Sequence, residues 1–174
     1  MTSTMIGLHR QGLAHAQRCI DLSPNFALAF LALGLARIFN GNFDDAVDPF
    51  LRGMRLSPNE PLTFEFLNGI GLAQYHMGNF EEARHYAENG LAKRRTYGGL
   101  RILAAALGQL GQLEDCAPIR VEMEALRPLD VAGQWAASTN YANPAHRAHL
   151  VEGLRKGGFV EVPEPISLQG GAGG

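Results

Sequence analysis

The sequence predicts an all-α fold, a solenoid of antiparallel helix pairs. Three observations predict it. Leu and Ala supply 46 of the 174 residues, while Val, Ile and Thr together supply 18. That balance favours helix, because β-branched side chains lose rotamer freedom against the preceding turn. Two phrases also recur along the chain. Leu22-Ser23-Pro24-Asn25 returns 34 residues on as Leu56-Ser57-Pro58-Asn59. Gly41-Asn42-Phe43-Asp44-Asp45-Ala46 returns as Gly78-Asn79-Phe80-Glu81-Glu82-Ala83 and, weaker, as Gly111-Gln112-Leu113-Glu114-Asp115-Cys116. Finally, the punctuation is placed for helices. Gly41, Gly78 and Gly111 each follow a helical pattern, where a C-cap needs a left-handed residue. Pro24, Pro58 and Pro128 each close a segment and forbid its continuation. No stretch alternates apolar and polar residues in the manner of a half-buried strand.

The elements follow in order. Apolar periodicity predicts helices over 7–21, 27–40, 43–56, 62–77, 80–94, 97–110, 113–127, 129–138 and 144–156. Residues 1–24 read as the second helix of a partial repeat, with Ala16 and Cys19 inward and Pro24 closing it. Full helix–turn–helix repeats cover 27–60, 64–96 and 97–130, with Pro61, Leu62 and Thr63 inserted between the first two. Capping helices are expected over 131–159. The last starts with a good N-cap, Asn143, and Pro144 at the first helical position. A solenoid needs such a helix to cover its final repeat. The Gly- and Pro-rich residues 160–174 read as a flexible tail.

Composition excludes several functions. The net charge is −2 and the isoelectric point near 6.3, against the basic excess of a nucleic-acid surface. Apolar stretches fall short of the roughly 18–20 residues that span a bilayer, and the N-terminus lacks a signal-peptide pattern. Cys19 and Cys116 form neither a CxxC pair nor a disulfide framework, so a reducing cytoplasm is the expected compartment. Neither a metal nor a cofactor is expected. His146 and His149 lie at i, i+3 with no third ligand near in sequence, where zinc wants at least three, and they read as a solvated helix face. His76 and His85 flank the Gly78 turn, but two ligands make no site. Gly69-Ile70-Gly71 lacks the third glycine and the preceding strand of a dinucleotide loop. No P-loop, nucleophile elbow or HExxH motif is present. Cys116 falls at a position that wants a small buried residue, and buried thiols are mostly inert.

Thirty-four residues built as helix, turn, helix is the period of the tetratricopeptide repeat (TPR) family, and the chain resembles that family. Its pattern asks for a bulky residue, Leu-Gly, a large residue, Gly, Ala, an aromatic, a small residue and Pro. From Ala27 the chain supplies Phe30, Leu33-Gly34, Arg37, Gly41, Ala46, Phe50, Gly53 and Pro58; only Arg37 departs. From Phe64 it supplies Leu67, Ile70-Gly71, Gln74, Gly78, Ala83, Ala87 and Gly90, with Arg95 in place of Pro. From Tyr97 it supplies Leu100, Leu103-Ala104, Leu107, Gly111, Cys116, Arg120, Met123 and Pro128. The small residues let two antiparallel helices approach, and the large ones fill the gaps.

The resemblance implies a right-handed superhelix whose concave face is lined by the first helix of each repeat. A partner-binding groove is therefore expected along Leu28, Leu31 and Leu35, then Asn68, Leu72 and Tyr75, then Arg101. Polar Asn68, Tyr75 and Arg101 would set orientation among apolar contacts. Some chaperone-binding TPRs hold an acidic C-terminus with a clamp of Lys and Asn; Leu31 and Leu35 stand at those positions, which disfavours the clamp.

The expected function is a non-catalytic scaffold that binds a peptide or helix in this groove. The insertion at 61–63, the run from Leu100 to Leu107 and the helix ending His149 to Lys156 also resemble the C-terminal TPR region of multidomain bacterial proteins. In those, the repeats follow a class III nucleotide cyclase or winged-helix DNA-binding domain. That resemblance implies a second reading: a regulatory or assembly segment whose catalytic or DNA-binding domain is absent from this chain. A homodimer through helix 8–21, or packing of that helix on an upstream domain of a longer protein, is expected as well, because Leu13, Ala16 and Ile20 lack the first helix of their repeat.

Overall fold

The glycine-closed turns are the frame of the molecule. In this computed structural model, which describes residues 2–59, 61–126 and 141–159, every described element is a helix. In chain order these are α1 (Thr2–Leu22), α2 (Ala27–Asn40), α3 (Phe43–Leu56), α4 (Thr63–His76), α5 (Phe80–Lys93), α6 (Tyr97–Leu110), α7 (Leu113–Leu126) and α8 (Pro144–Lys156). The helix expected over 129–138, Pro128 and the tail 160–174 lie outside the described residues. The first helix starts earlier than the expected residue 7.

Gly41, Gly78 and Gly111 take φ of 85°, 84° and 72°. Each then closes its helix with the same paired hydrogen bonds. Gly41 N–H donates to Ile38 O and Asn42 N–H to Arg37 O; Gly78 and Asn79 bond Tyr75 O and Gln74 O; Gly111 and Gln112 bond Gly108 O and Leu107 O. This satisfies carbonyls that a helix end leaves without partners. The recurring Gly-Asn/Gln-Phe/Leu phrase is thus one turn used three times. Where Arg95 replaces the expected Pro, Thr96 Oγ1 caps α6 by accepting from Gly99 N–H at 3.2 Å. The Arg95 guanidinium binds the Glu122 carboxylate of α7 with two hydrogen bonds.

Consecutive helices pack against one another from α1 to α7, and the first helices of successive pairs, α2, α4 and α6, also touch. This is a TPR-like helical repeat. Its close approaches use glycine. A Cβ on Gly34 would lie 2.4 Å from the Phe50 ring, and one on Gly53 would lie 2.3 Å from the Phe66 ring. Ala46 has no exposed surface. The small residues of the pattern therefore make room for the two phenylalanines, one within the α2–α3 pair and one from the next pair.

The core sits along α4 and α6. Every residue from Gly99 to Gly108 is buried, which explains an apolar run with no polar face. Among the described residues, α6 packs against α5, α7, α4 and α8.

Candidate functional site

The repeat pattern assigns the concave face to the inner positions of α2, α4 and α6. The chain's own helix α8 packs against the α4 and α6 parts of it. The approach is a backbone contact between small residues. A Cβ on Gly108 would lie 2.0 Å from Gly153 O and 2.6 Å from Gly157 N. A Cβ on Gly153 would lie 2.2 Å from the Tyr75 hydroxyl and 2.8 Å from Ala105 O. Leu150 and Leu154 supply the apolar part and are buried.

Polar groups fix the register. The Tyr75 hydroxyl donates to His149 O at 2.7 Å and accepts from Gln109 Nε2 at 3.1 Å. Lys156 Nζ donates to Gln109 Oε1 at 2.7 Å. Arg120 Nη2 donates to Gly157 O at 3.3 Å, and the same guanidinium lies over the Phe159 ring. At the other end of the segment, Ala142 N–H donates to Phe39 O at 2.8 Å, and the rings of Tyr141 and Phe39 meet edge-on at 5.5 Å.

An aromatic cluster joins the segment to α3 and α4. Phe43 stacks on His76 at 4.5 Å and meets His146 edge-on at 4.7 Å. His76 lies 5.6 Å from His149 and 5.9 Å from His146, and its Nε2 shares a 2.8 Å hydrogen bond with the Tyr141 hydroxyl. Burial, reinforced by His149 and His146, lowers the His76 pKa to about 3. Burial also lowers His146 and His149. Burial pushes the Tyr75 hydroxyl up to about 12 and raises Tyr141 further. The cluster is thus three imidazoles held toward the neutral form among phenol and phenyl rings. Among the described residues no group of three or more His, Cys, Asp or Glu is placed to hold a metal ion.

The residues expected to line the groove fall into two sets. Leu28, Leu31 and Leu35 on α2 are half-buried and pack against the core. Asn68, Leu72, Tyr75 and Arg101 are buried, with Tyr75 wholly enclosed and Arg101 3% exposed. Asn68 is wedged between α5 and α6: its Oδ1 lies 2.5 Å and 3.0 Å from where a Cβ on Gly90 and on Gly99 would stand. That oxygen makes no hydrogen bond. Arg101 lies close enough to Tyr141 to act on its titration. Tyr75 is the expected residue that does touch a peptide segment.

His146 and His149 depart from the solvated face read for them. Both are half-buried, because their side of α8 is turned onto α3 and α4. The role of residues 141–159 on the inner face was not read from the sequence. The available signal was small-residue matching, Gly153 and Gly157 against Ala104, Ala105 and Gly108.

Among the described residues, a cleft of about 90 Å³ lies between α1, α2 and α3, lined by Gln17, Ile20, Phe30, Arg37, Pro49 and Arg52. That is well below the roughly 300–1,000 Å³ of a small-molecule site. No helix among the described residues is long and apolar enough to cross a membrane.

No family model matches the chain. The chain is similar to Hsp70-Hsp90 organizing protein 3 of Arabidopsis thaliana, at 30% identity over 67 residues, 38% of this chain and 12% of that protein. Hsp70-Hsp90 organizing protein 2 of the same plant matches at 30% over 67 residues, 38% of this chain and 11% of that protein. The Hsp70-Hsp90 organizing protein of Triticum aestivum matches at the same identity, length and shares. The chain thus spans only 11–12% of the curated relatives it matches. These relatives lend no support to the cyclase- or regulator-linked resemblance.

Proposed function

We propose that this chain is a non-enzymatic protein-interaction scaffold whose inner face, along α2, α4 and α6, takes a peptide or helical segment of a partner. One observation carries this reading. α4 and α6 hold the chain's own helix α8 by apolar contact plus a few placed polar groups, with Phe43 of α3 and Arg120 of α7 at its two ends. That is how a helix-in-groove module recognises its target. Leu28, Leu31 and Leu35 extend the face along α2, and their apolar character favours a hydrophobic target over an acidic terminus. The likeness to proteins named for organizing Hsp70 and Hsp90 supports chaperones as partner candidates, and free thiols at Cys19 and Cys116 fit a cytoplasmic setting. The test is cross-linking of the full chain to a captured partner, followed by mass spectrometry. Cross-links confined to α2, α4 and α6 support the reading; cross-links confined to the outer helices α3, α5 and α7 overturn it.

Self-association at the α1 end is the second surface proposed. Leu22 and Phe26, at the α1–α2 turn, are 68% and 49% exposed, and Cys19, expected to face inward, is exposed as well. Leu13, Ala16 and Ile20 are at least half-buried on a helix that packs on α2, so the uncovered apolar surface lies toward the turn.

A further inference from the structure

Resting on the helix-in-groove reading above, we propose that residues 141–159 are a resident competitor on the inner face. The partner helix accepted there would share the chemistry of α8: small residues at i and i+4, with leucines at i−3 and i+1.

The geometry is specific about that chemistry. Gly153 and Gly157 are the i and i+4 pair, and Leu150 and Leu154 are the leucines. A side chain at Gly153 has no room, since even a Cβ would fall 2.2 Å from the Tyr75 hydroxyl and 2.8 Å from Ala105 O. On the receiving side a Cβ at Gly108 would fall 2.0 Å from Gly153 O. Backbone meets backbone here, as where small residues let two helices close on each other. Much of the rest of the register is set through main chain, His149 O on Tyr75 and Gly157 O on Arg120. Main-chain contacts can be reproduced by another helix with small residues at the same spacing. The outward side of α8 carries exposed Ala145, Ala148 and Arg155, so this is an amphipathic helix bound by one face. A tethered helix acts at an effective concentration of about millimolar. The apparent affinity for an incoming helix is therefore reduced by the fraction of chains whose face is open.

The experiment uses the full chain and a fluorescent synthetic peptide of residues 141–159, with binding read by anisotropy. Gly153→Leu in the full chain is chosen to expel its own α8, and circular dichroism checks that the remaining helices stay folded. The expected result is at least tenfold tighter peptide binding by Gly153→Leu than by wild type, and no binding by a peptide that itself carries Gly153→Leu. Equal binding by both chains overturns the competitor role while leaving the helix-docking reading in place. No binding by a Gly153→Leu chain whose circular dichroism is native overturns both. If Gly153→Leu does not fold, the wild-type chain decides. With ¹⁵N-labelled chain and excess unlabelled peptide, amide signals of residues 144–156 should move toward random-coil positions. Signals that stay put at millimolar peptide overturn the proposal.

Discussion

The Arg37 guanidinium donates through Nη1 to the carbonyl oxygen of Asp45. Pro49 stands four residues after Asp45, inside α3, and has no N–H to offer that carbonyl. Arg37 is also the residue that departs from the repeat pattern in the first full repeat. Its long side chain reaches from α2 to the acceptor that Pro49 leaves open, so the departure and the proline explain each other.

Arg37→Ala should then destabilise the fold by about 1 kcal/mol, the net worth of one such hydrogen bond. Restoring the backbone donor with Pro49→Ala should remove most of that cost. A double-mutant cycle read by urea denaturation measures the coupling. Additive single-mutant effects would show that the two residues act independently.

Ala46, at the small-residue position of α3, has no exposed surface. Ala46→Leu should cost about 1–3 kcal/mol by overpacking. A denaturation midpoint equal to wild type would refute the close approach.

These local features were legible because they are local. A glycine that must take positive φ, a proline that must end a helix and a small residue at a crossing announce themselves within a few residues of chain. The Gly-Asn-Phe turns, the Asn143 cap, whose Oδ1 accepts from Ala145 N–H at 3.0 Å, and the bounds of the described helices after α1 were accordingly readable. The occupant of the inner face was not. Tyr75 meets His149 across 74 residues of sequence, and His76 meets Tyr141 across 65. Nothing in the periodicity of 144–156 says which surface its apolar side will find. Gly153 and Gly157 act through shape, which a hydrophobic pattern does not register. Hence the repeat pattern could suggest an inner-face position for Tyr75 and Arg101, while their burial could not be read from it.

The two thiols should separate cleanly. Cys19 is exposed and Cys116 buried, and burial raises the Cys116 pKa despite the opposing pull of Arg120. An aromatic disulfide reagent should label Cys19 in the native protein and Cys116 only in denaturant, because the thiolate is the reacting species. Rapid native labelling of Cys116 would mean that Gly157, whose Cβ would stand 3.2 Å from its sulfur, does not stay seated over it.

Self-association through the α1 end predicts a concentration-dependent mass. Light scattering at tens of micromolar should show a dimer, and Leu22→Glu with Phe26→Glu should return the monomer. A dimer that survives both charges would place the interface elsewhere.

Acid should undock the segment 141–159 before the repeats unfold. His76 carries a pKa of about 3 in place of the ordinary 6.5, chiefly through burial, and His146 and His149 are lowered in the same direction by the same cause. Of the charged groups of α8, Lys156 pushes His149 lower still, while Glu152 acts on Tyr75 and is engaged by Arg155. Docking therefore holds these rings neutral, whereas the undocked segment binds protons at ordinary affinity. Where the undocked state binds more protons, stability rises with pH. The stabilisation is complete above about pH 6.5, falls as the pH drops through that value, and levels off only near the docked-state value of about 3. Measured between about pH 7.5 and 5, above the usual carboxylate range, exchange of the α8 amides should accelerate while that of α4 amides changes little. His76→Phe keeps a ring beside Phe43 but cannot titrate, so its profile should be flatter. Exchange of α8 that slows on acidification, after correction for intrinsic rates, would reverse the sign and remove the histidine cluster as its cause.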